Sequence, residues 1–263
     1  MLNTINDGAK ALLKDTASIL EKFPEVQYLV IGGWCPVLRN TTKLNHPGTI
    51  DVDILFKESY KENAIQNVIE SFLSEGFLPS AKHSFQLLKT YTIKNKEYVY
   101  NIDLLHPRML EESNGQGMFV DHLDLDVPLN EHEAETKKMR SIILPNSKLL
   151  FDHNLFSQEN INDTVFNLIS FEGMFLTKMD SCQKQKRERD SFDIYLGFLG
   201  DNIDINQIME LSKIDNRIEE SLSKFKEFLE DPKQLFNNNV HKYCSTQQEL
   251  PSKLILNKFP SSI

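Results

Sequence analysis

Cysteine is scarce: the 263 residues hold three, Cys35, Cys182 and Cys244. They form no C-x-x-C pair and no even framework, which excludes a disulfide scaffold and reads as three reduced thiols. Cys35 reads best as a buried packing residue. Long apolar runs are missing as well, and no stretch reaches the ~18 uninterrupted apolar residues that a membrane span needs. The first twenty residues carry Asp7, Lys10, Lys14 and Asp15 rather than an apolar core, so no secretory signal is expected. Positive charge is in deficit: the net charge is −9, which removes the basic field that holds a duplex by counterion release. The seven histidines show no H-E-x-x-H and no paired ligand spacing, so no zinc site is expected. There is no internal repeat and no Ser/His/Asp or Cys/His nucleophile arrangement. These absences describe an acidic cytoplasmic protein with no membrane partner and no stable hold on duplex DNA.

What is present is ordinary globular composition, 40% apolar and 25% charged, which excludes collagen, a coiled-coil rod and wholesale disorder. Two textures follow each other, and they predict an α/β domain over residues 1–154 and a helical domain with an irregular tail over 155–263. In the first, residues 5–22 place Ala9, Leu12, Leu13, Ala17 and Leu20 on one helical stripe. Tyr28-Leu29-Val30-Ile31 reads as a buried strand stopped by Gly32-Gly33. Residues 49–56 alternate apolar and acidic, a strand with one wet face. A helix follows over 60–75, then strands Phe85–Ile93 and Glu97–Leu105 around the turn Lys94-Asn95-Lys96. Further strands are expected near Phe119–Val127 and at Ser141–Leu144. In the second texture, segments 160–182, 190–200, 204–213 and 215–230 carry helical spacing. The tail from 231 reads as a wrap or a partly disordered end.

The chemistry concentrates at Asp51 and Asp53. Carboxylates at i and i+2 on a strand leave the same face, about 6.6 Å apart along the backbone. Burying such a pair without positive charge or water is costly. Hard oxygen ligands suit Mg²⁺ or Mn²⁺ with positions left open for substrate phosphates. Alone, Asp-x-Asp is a weak signal and fits a solvated strand face better. Asp103, in Val99-Tyr100-Asn101-Ile102-Asp103-Leu104-Leu105, supplies a third carboxylate on a second strand with similar flanks. On adjacent strands the three could hold two cations ~3.5–4 Å apart. Upstream, a buried strand ends at Gly32-Gly33 and Trp34 to Arg39 begins as a helix would, where small residues let backbone approach phosphates.

Other clusters read more blandly. Asp121, Asp124 and Asp126 could bind a cation, but nothing Gly-rich or basic precedes them and a solvated edge is the simpler reading. His106 reads as a loop cap or a substrate contact. Lys184, Lys186, Arg187 and Arg189 form the dense basic run of the chain, either a solvated face or a contact for triphosphate or RNA.

Gly32-Gly33-Trp34, then Thr49-Ile50-Asp51-Val52-Asp53-Ile54 and Asp103, resemble the DNA polymerase β-like nucleotidyltransferase superfamily. Within it the chain is similar to AbiE-type toxin nucleotidyltransferases and to antibiotic nucleotidyltransferases. Lys178, Lys186, Arg187, Arg189-Asp190 and Phe192-Asp193-Ile194 look like the late Lys…Arg/Lys-Asp-x-x-Asp element of the AbiE-type group. The superfamily usually has Gly-Ser where Gly33-Trp34 stands here; Gly-Gly-Trp does occur in the antibiotic-modifying branch. The stretch from Gly33 to Asp51 is also longer than usual, with Asn40 to Gly48 inserted.

The resemblance implies an α+β fold, a nucleotidyltransferase-type mixed sheet flanked by helices and followed by helices. It implies an enzyme moving a nucleoside monophosphate from an NTP to an acceptor hydroxyl with Mg²⁺ or Mn²⁺. Asp51, Asp53 and Asp103 would be the metal-binding and catalytic residues. Gly32, Gly33, Trp34, Lys178 and Asp193 would bind the nucleotide, with ATP among the NTPs. An RNA acceptor would fit the toxin of a toxin–antitoxin or phage-defence system with a cognate antitoxin partner. A small-molecule acceptor of aminoglycoside or lincosamide type is the alternative, and a non-catalytic binding or scaffold protein is the other.

Overall fold

A computed structural model describes residues 2–57, 64–107, 120–126, 138–245 and 249–260, with no side chains for 120–126, 138 and 140. The chain divides into two units, residues 1–34 with 48–169, and residues 35–47 with 170–263.

The first unit opens with helix α1 (Ile5–Leu20), started by a reciprocal cap. The Thr4 hydroxyl accepts from the Asp7 N–H, and the Asp7 carboxylate accepts from the Thr4 N–H. Its buried stripe, Leu12, Leu13, Ala17 and Leu20 included, is the one the periodicity predicts. The other elements of this unit are β1 (Tyr28–Ile31), β2 (Asp51–Phe56), α3 (Ala64–Ser74), β3 (Leu78–Pro79), β4 (Gln86–Ile93), β5 (Lys96–Pro107), β6 (Val120–Asp126), β7 (Lys138–Leu144), α4 (Lys148–Asp152), β8 (Phe156–Ile161) and β9 (Thr164–Ile169). The expected positions 60–63, 119 and 127 lie outside the described residues.

Among the described residues nine strands form one mixed sheet, ordered β3-β4-β5-β2-β1-β9-β8, with β7 joined to β5 and β6 to β7. β2 and β5 run parallel, as do β1 and β9, while β1 and β2 are antiparallel. Strand β2 buries Val52, Ile54 and Phe56 and leaves Asp51 and Asp53 half-buried, the expected wet face. Helix α1 covers the other face. There Tyr100 donates to the Ile5 carbonyl at 2.8 Å, and Lys89 and Tyr91 reach Asp15 at 2.7 and 2.6 Å. Gly8 makes that packing possible, since a Cβ there would sit 2.3 Å from the Tyr100 hydroxyl oxygen.

Residues 156–169 correct a sequence reading: the segment predicted to begin a helix at 160 is a hairpin. Asn162 and Asp163 both take positive φ, 49° and 66°, as a two-residue hairpin turn requires. The β4–β5 turn does the same at Lys94 and Asn95.

The second unit holds the helices. Helix α2 (Trp34–Arg39) crosses from one unit into the other. Then come α5 (Phe171–Lys178), a 3-10 turn (Ser181–Gln183), α6 (Glu188–Leu199), α7 (Ile205–Ile214), α8 (Asn216–Leu229), α9 (Leu235–His241) and α10 (Pro251–Leu256). Ser170, Asp204 and Asp215 cap α5, α7 and α8 with their side chains. Edge-to-face aromatic pairs build the core, Phe175 against Phe198 and Phe225 and Phe225 against Phe236. Of the two readings of the tail, the described residues follow the wrap: α9 and α10 bury Phe236, Val240 and Ile255. The mixed sheet flanked by helices and the helical part after it match the α+β expectation.

Candidate functional site

In the first unit the parallel pairing of β2 and β5 sets Asp51 beside Asn101 and Asp53 beside Asp103. Because parallel strands in register turn the same face outward at matched positions, all three carboxyl positions share the face opposite α1. Antiparallel β4 continues the row by placing Gln86 beside Asp103. The Gln86 and Asn101 amides donate to Asp103 Oδ1 at 2.8 and 2.9 Å. Burial raises the Asp103 carboxyl above the ordinary value, and the nearby Asp51 charge adds to this. The two amide hydrogen bonds and the charge of His83 pull it back.

Asp51 accepts a hydrogen bond from Thr49, and its backbone carbonyl accepts one from Trp34 Nε1 at 2.8 Å. The buried Trp34 ring thereby ties the end of the Gly-Gly turn to the start of β2. Gly32 has φ +77°, and a Cβ there would lie 2.3 Å from Asp53 Oδ2. Only glycine leaves room for that carboxylate.

The donor set suits a hard divalent cation in kind: three carboxylates on one sheet face, gathered where burial makes uncompensated charge costly. As the side chains lie, no group of three His, Cys, Asp or Glu residues among the described residues closes into a metal site. Asp51 is turned to Thr49 and Asp103 to the two amides.

The second unit gathers the other named residues. Lys178 is buried and donates to Asp190 at 2.7 Å and to Asp193 at 2.6 Å. Ser181 donates to the second Asp190 oxygen at 2.7 Å, and His46 Nε2 meets Asp193 Oδ1 at 2.8 Å. Burial alone would lower the Lys178 pKa, but the charges of Asp193 and Asp190 outweigh it and hold the ammonium above its ordinary value. Burial alone would raise Asp193; the Lys178 charge and the His46 contact leave it below the usual carboxylate range. The inserted segment Asn40–Pro47 is held here by His46 and by Thr41, which donates to the Gly200 carbonyl at 3.2 Å.

The structure therefore brings together Gly32, Trp34, Asp51, Asp53 and Asp103 in one unit, and Lys178 with Asp193 in the other. Sequence reading missed Gln86, Asn101, His83 and His46. Asn101, two before Asp103, was visible as a same-face neighbour; the others depend on pairing and packing. His106 is a buried strand residue whose Nδ1 lies 2.6 Å from Ser141 Oγ, not a loop cap. Burial pushes the Cys35 thiol up to about 12, which suits a packing residue. Asp121, Asp124 and Asp126 lie on β6, whose side chains are outside the described ones. Among the described residues no helix is long and apolar enough to cross a membrane.

No protein-family model and no curated protein matches the sequence. Among solved structures, an antigenic nucleotidyltransferase-like protein from Paracoccidioides brasiliensis is similar with a TM-score of 0.43 and 13% identity, over 89% of this chain and 94% of that one.

Proposed function

We propose that this chain is a metal-dependent nucleotidyltransferase that moves a nucleoside monophosphate from an NTP to an acceptor hydroxyl. The observation that carries the proposal is Asp53 beside Asp103 on parallel strands, with Asp51 two residues earlier on the same face. Asp51, Asp53 and Asp103 would hold Mg²⁺ or Mn²⁺. When bound, the cations would acidify the acceptor hydroxyl and offset charge on the phosphates. Asp103 would take the proton of that hydroxyl. The acceptor oxygen then bonds to the α-phosphorus while the bond from that phosphorus to the bridging oxygen breaks, and pyrophosphate leaves. Gly32 and Gly33 would let backbone lie against the phosphates. The nucleotide-side roles of Lys178 and Asp193 belong to this proposal through the resemblance.

RNA is the favoured acceptor class, because Lys184, Lys186 and Arg187 stand exposed together in an otherwise acidic protein. Such an activity would fit a toxin restrained by an antitoxin. The net charge of −9 supports the second reading, a cationic small-molecule acceptor such as an aminoglycoside.

The test is incubation with Mg²⁺, labelled NTPs and three pools: total RNA, protein extract and an antibiotic panel. Label on RNA that disappears with Asp53→Ala supports the first reading. Label confined to small molecules moves the acceptor to the second. No transfer and no Mg²⁺-dependent NTP binding would leave a non-catalytic scaffold.

A further inference from the structure

Three rings lie nearly parallel in the second unit. The buried Phe192 ring on α6 stacks with Tyr243 at a centroid distance of 5.2 Å and with His46 at 6.3 Å, with 22° between the planes in each pair. Tyr243 is the open member of the stack, and 38% of it stays exposed. A ring held against a buried ring has its orientation fixed before a ligand arrives, so stacking on it costs little ordering.

The position of that ring supplies the second half of the argument. The segment after α9 is tied to the start of α6: Lys242 Nζ meets Glu188 Oε1 at 3.0 Å, and the Asn239 amide donates to Ser191 Oγ at 3.3 Å. Phe192 lies about one turn after Glu188, ~6 Å along the helix. Lys184, Lys186 and Arg187, all exposed, come immediately before Glu188. An open aromatic ring therefore stands beside the dense basic run, within one unit. Basic side chains match phosphates, and a ring matches any base by its π-face. In a duplex the base faces are covered by their neighbours, so such a ring serves a single strand.

We propose that Tyr243 is a stacking platform for one base of a single-stranded RNA whose phosphates lie along Lys184, Lys186 and Arg187. The inference rests on the RNA reading of the acceptor and deepens it by adding a base contact that charge alone does not supply.

The experiment measures, by fluorescence anisotropy over a salt series, binding of the whole protein to a labelled oligouridine and to an RNA duplex of equal length. The proteins are wild type, Tyr243→Leu, Tyr243→Trp and Lys184→Gln. Tyr243→Leu still covers Phe192 but has no π-face; it should weaken oligouridine binding roughly 5- to 150-fold and leave the salt slope unchanged. Tyr243→Trp should keep or tighten binding, and Lys184→Gln should lower the slope by ~0.7. Equal oligouridine affinity for wild type and Tyr243→Leu overturns the platform and leaves the RNA reading standing. A loss as large on the duplex as on the single strand also overturns it. Absence of oligouridine binding by wild type overturns both the platform and the RNA reading. A second measurement needs no variant: oligouridine carrying 5-iodouridine should crosslink under ultraviolet light to the wild-type peptide that holds Tyr243. Adducts confined to other peptides overturn the platform even where Tyr243→Leu fails to fold.

Discussion

At the scale of single residues, the site is shaped as much by a missing side chain as by the three carboxylates. Gly32 combines a positive φ with a Cβ position 2.3 Å from the Asp53 carboxylate. Gly32→Ala should therefore destabilise the fold by roughly 1–3 kcal/mol and displace Asp53. Denaturant unfolding reads the first effect, and weakened Mn²⁺ binding reads the second. Asp103 carries the opposite tension. Burial raises its pKa in the folded chain, so ionising it costs stability. That cost is absent below about pH 4, where the carboxyl is protonated folded or unfolded. It grows as pH rises through the higher folded value and is complete above it. Asp103→Asn should thus raise the thermal midpoint at neutral pH, lose that advantage near pH 3, and abolish transfer. An unchanged neutral-pH midpoint would show that the carboxylate is not strained by burial.

Among the elements, α5 and α6 are joined by a buried charge cluster. Lys178 is the cation for both Asp190 and Asp193, and His46 brings the inserted segment to the same carboxylate. Lys178→Met removes the cation and strands two carboxylates, a change that should cost about 3–5 kcal/mol. Urea unfolding measures it. NTP affinity of the folded fraction then separates a structural lysine from one that also serves the nucleotide. Because Asp193 is held below the ordinary carboxylate range, its contribution is present above about pH 4 and fades as pH falls through the lower folded value. Acid below about pH 4 should therefore loosen α5, α6 and the Asn40–Pro47 segment, which hydrogen exchange would report. The β8–β9 hairpin shows the same scale from the sequence side. Phe156–Ile161 and Thr164–Ile169 flank Asn162-Asp163, a turn signal that helical spacing downstream concealed.

For the whole molecule, an acidic chain with an exposed basic run at Lys184, Lys186 and Arg187 predicts RNA binding that weakens with salt. Contacts by Lys184, Lys186 and Arg187 should give a log–log slope of magnitude about 2, from ~0.7 per neutralised single-strand phosphate. A flat salt response in an RNA-binding titration would remove those residues from the acceptor site. What the sequence alone determined was local. The strand Tyr28–Ile31, the turn at Gly32-Gly33, the wet face of Asp51 and Asp53 and the stripe of α1 all follow from periodicity and side-chain chemistry within a few residues. Tertiary structure decided what depends on distant partners. Strand register put Asp103 beside Asp53 and Gln86 beside Asp103, because each strand chooses its neighbour by the face it must bury. Helix packing put Lys178 into a buried ion cluster with His46, which meets Asp193 across 147 residues of chain. Such charges pair only once folding has removed water from around them, and no spacing along the chain records which partner that will be.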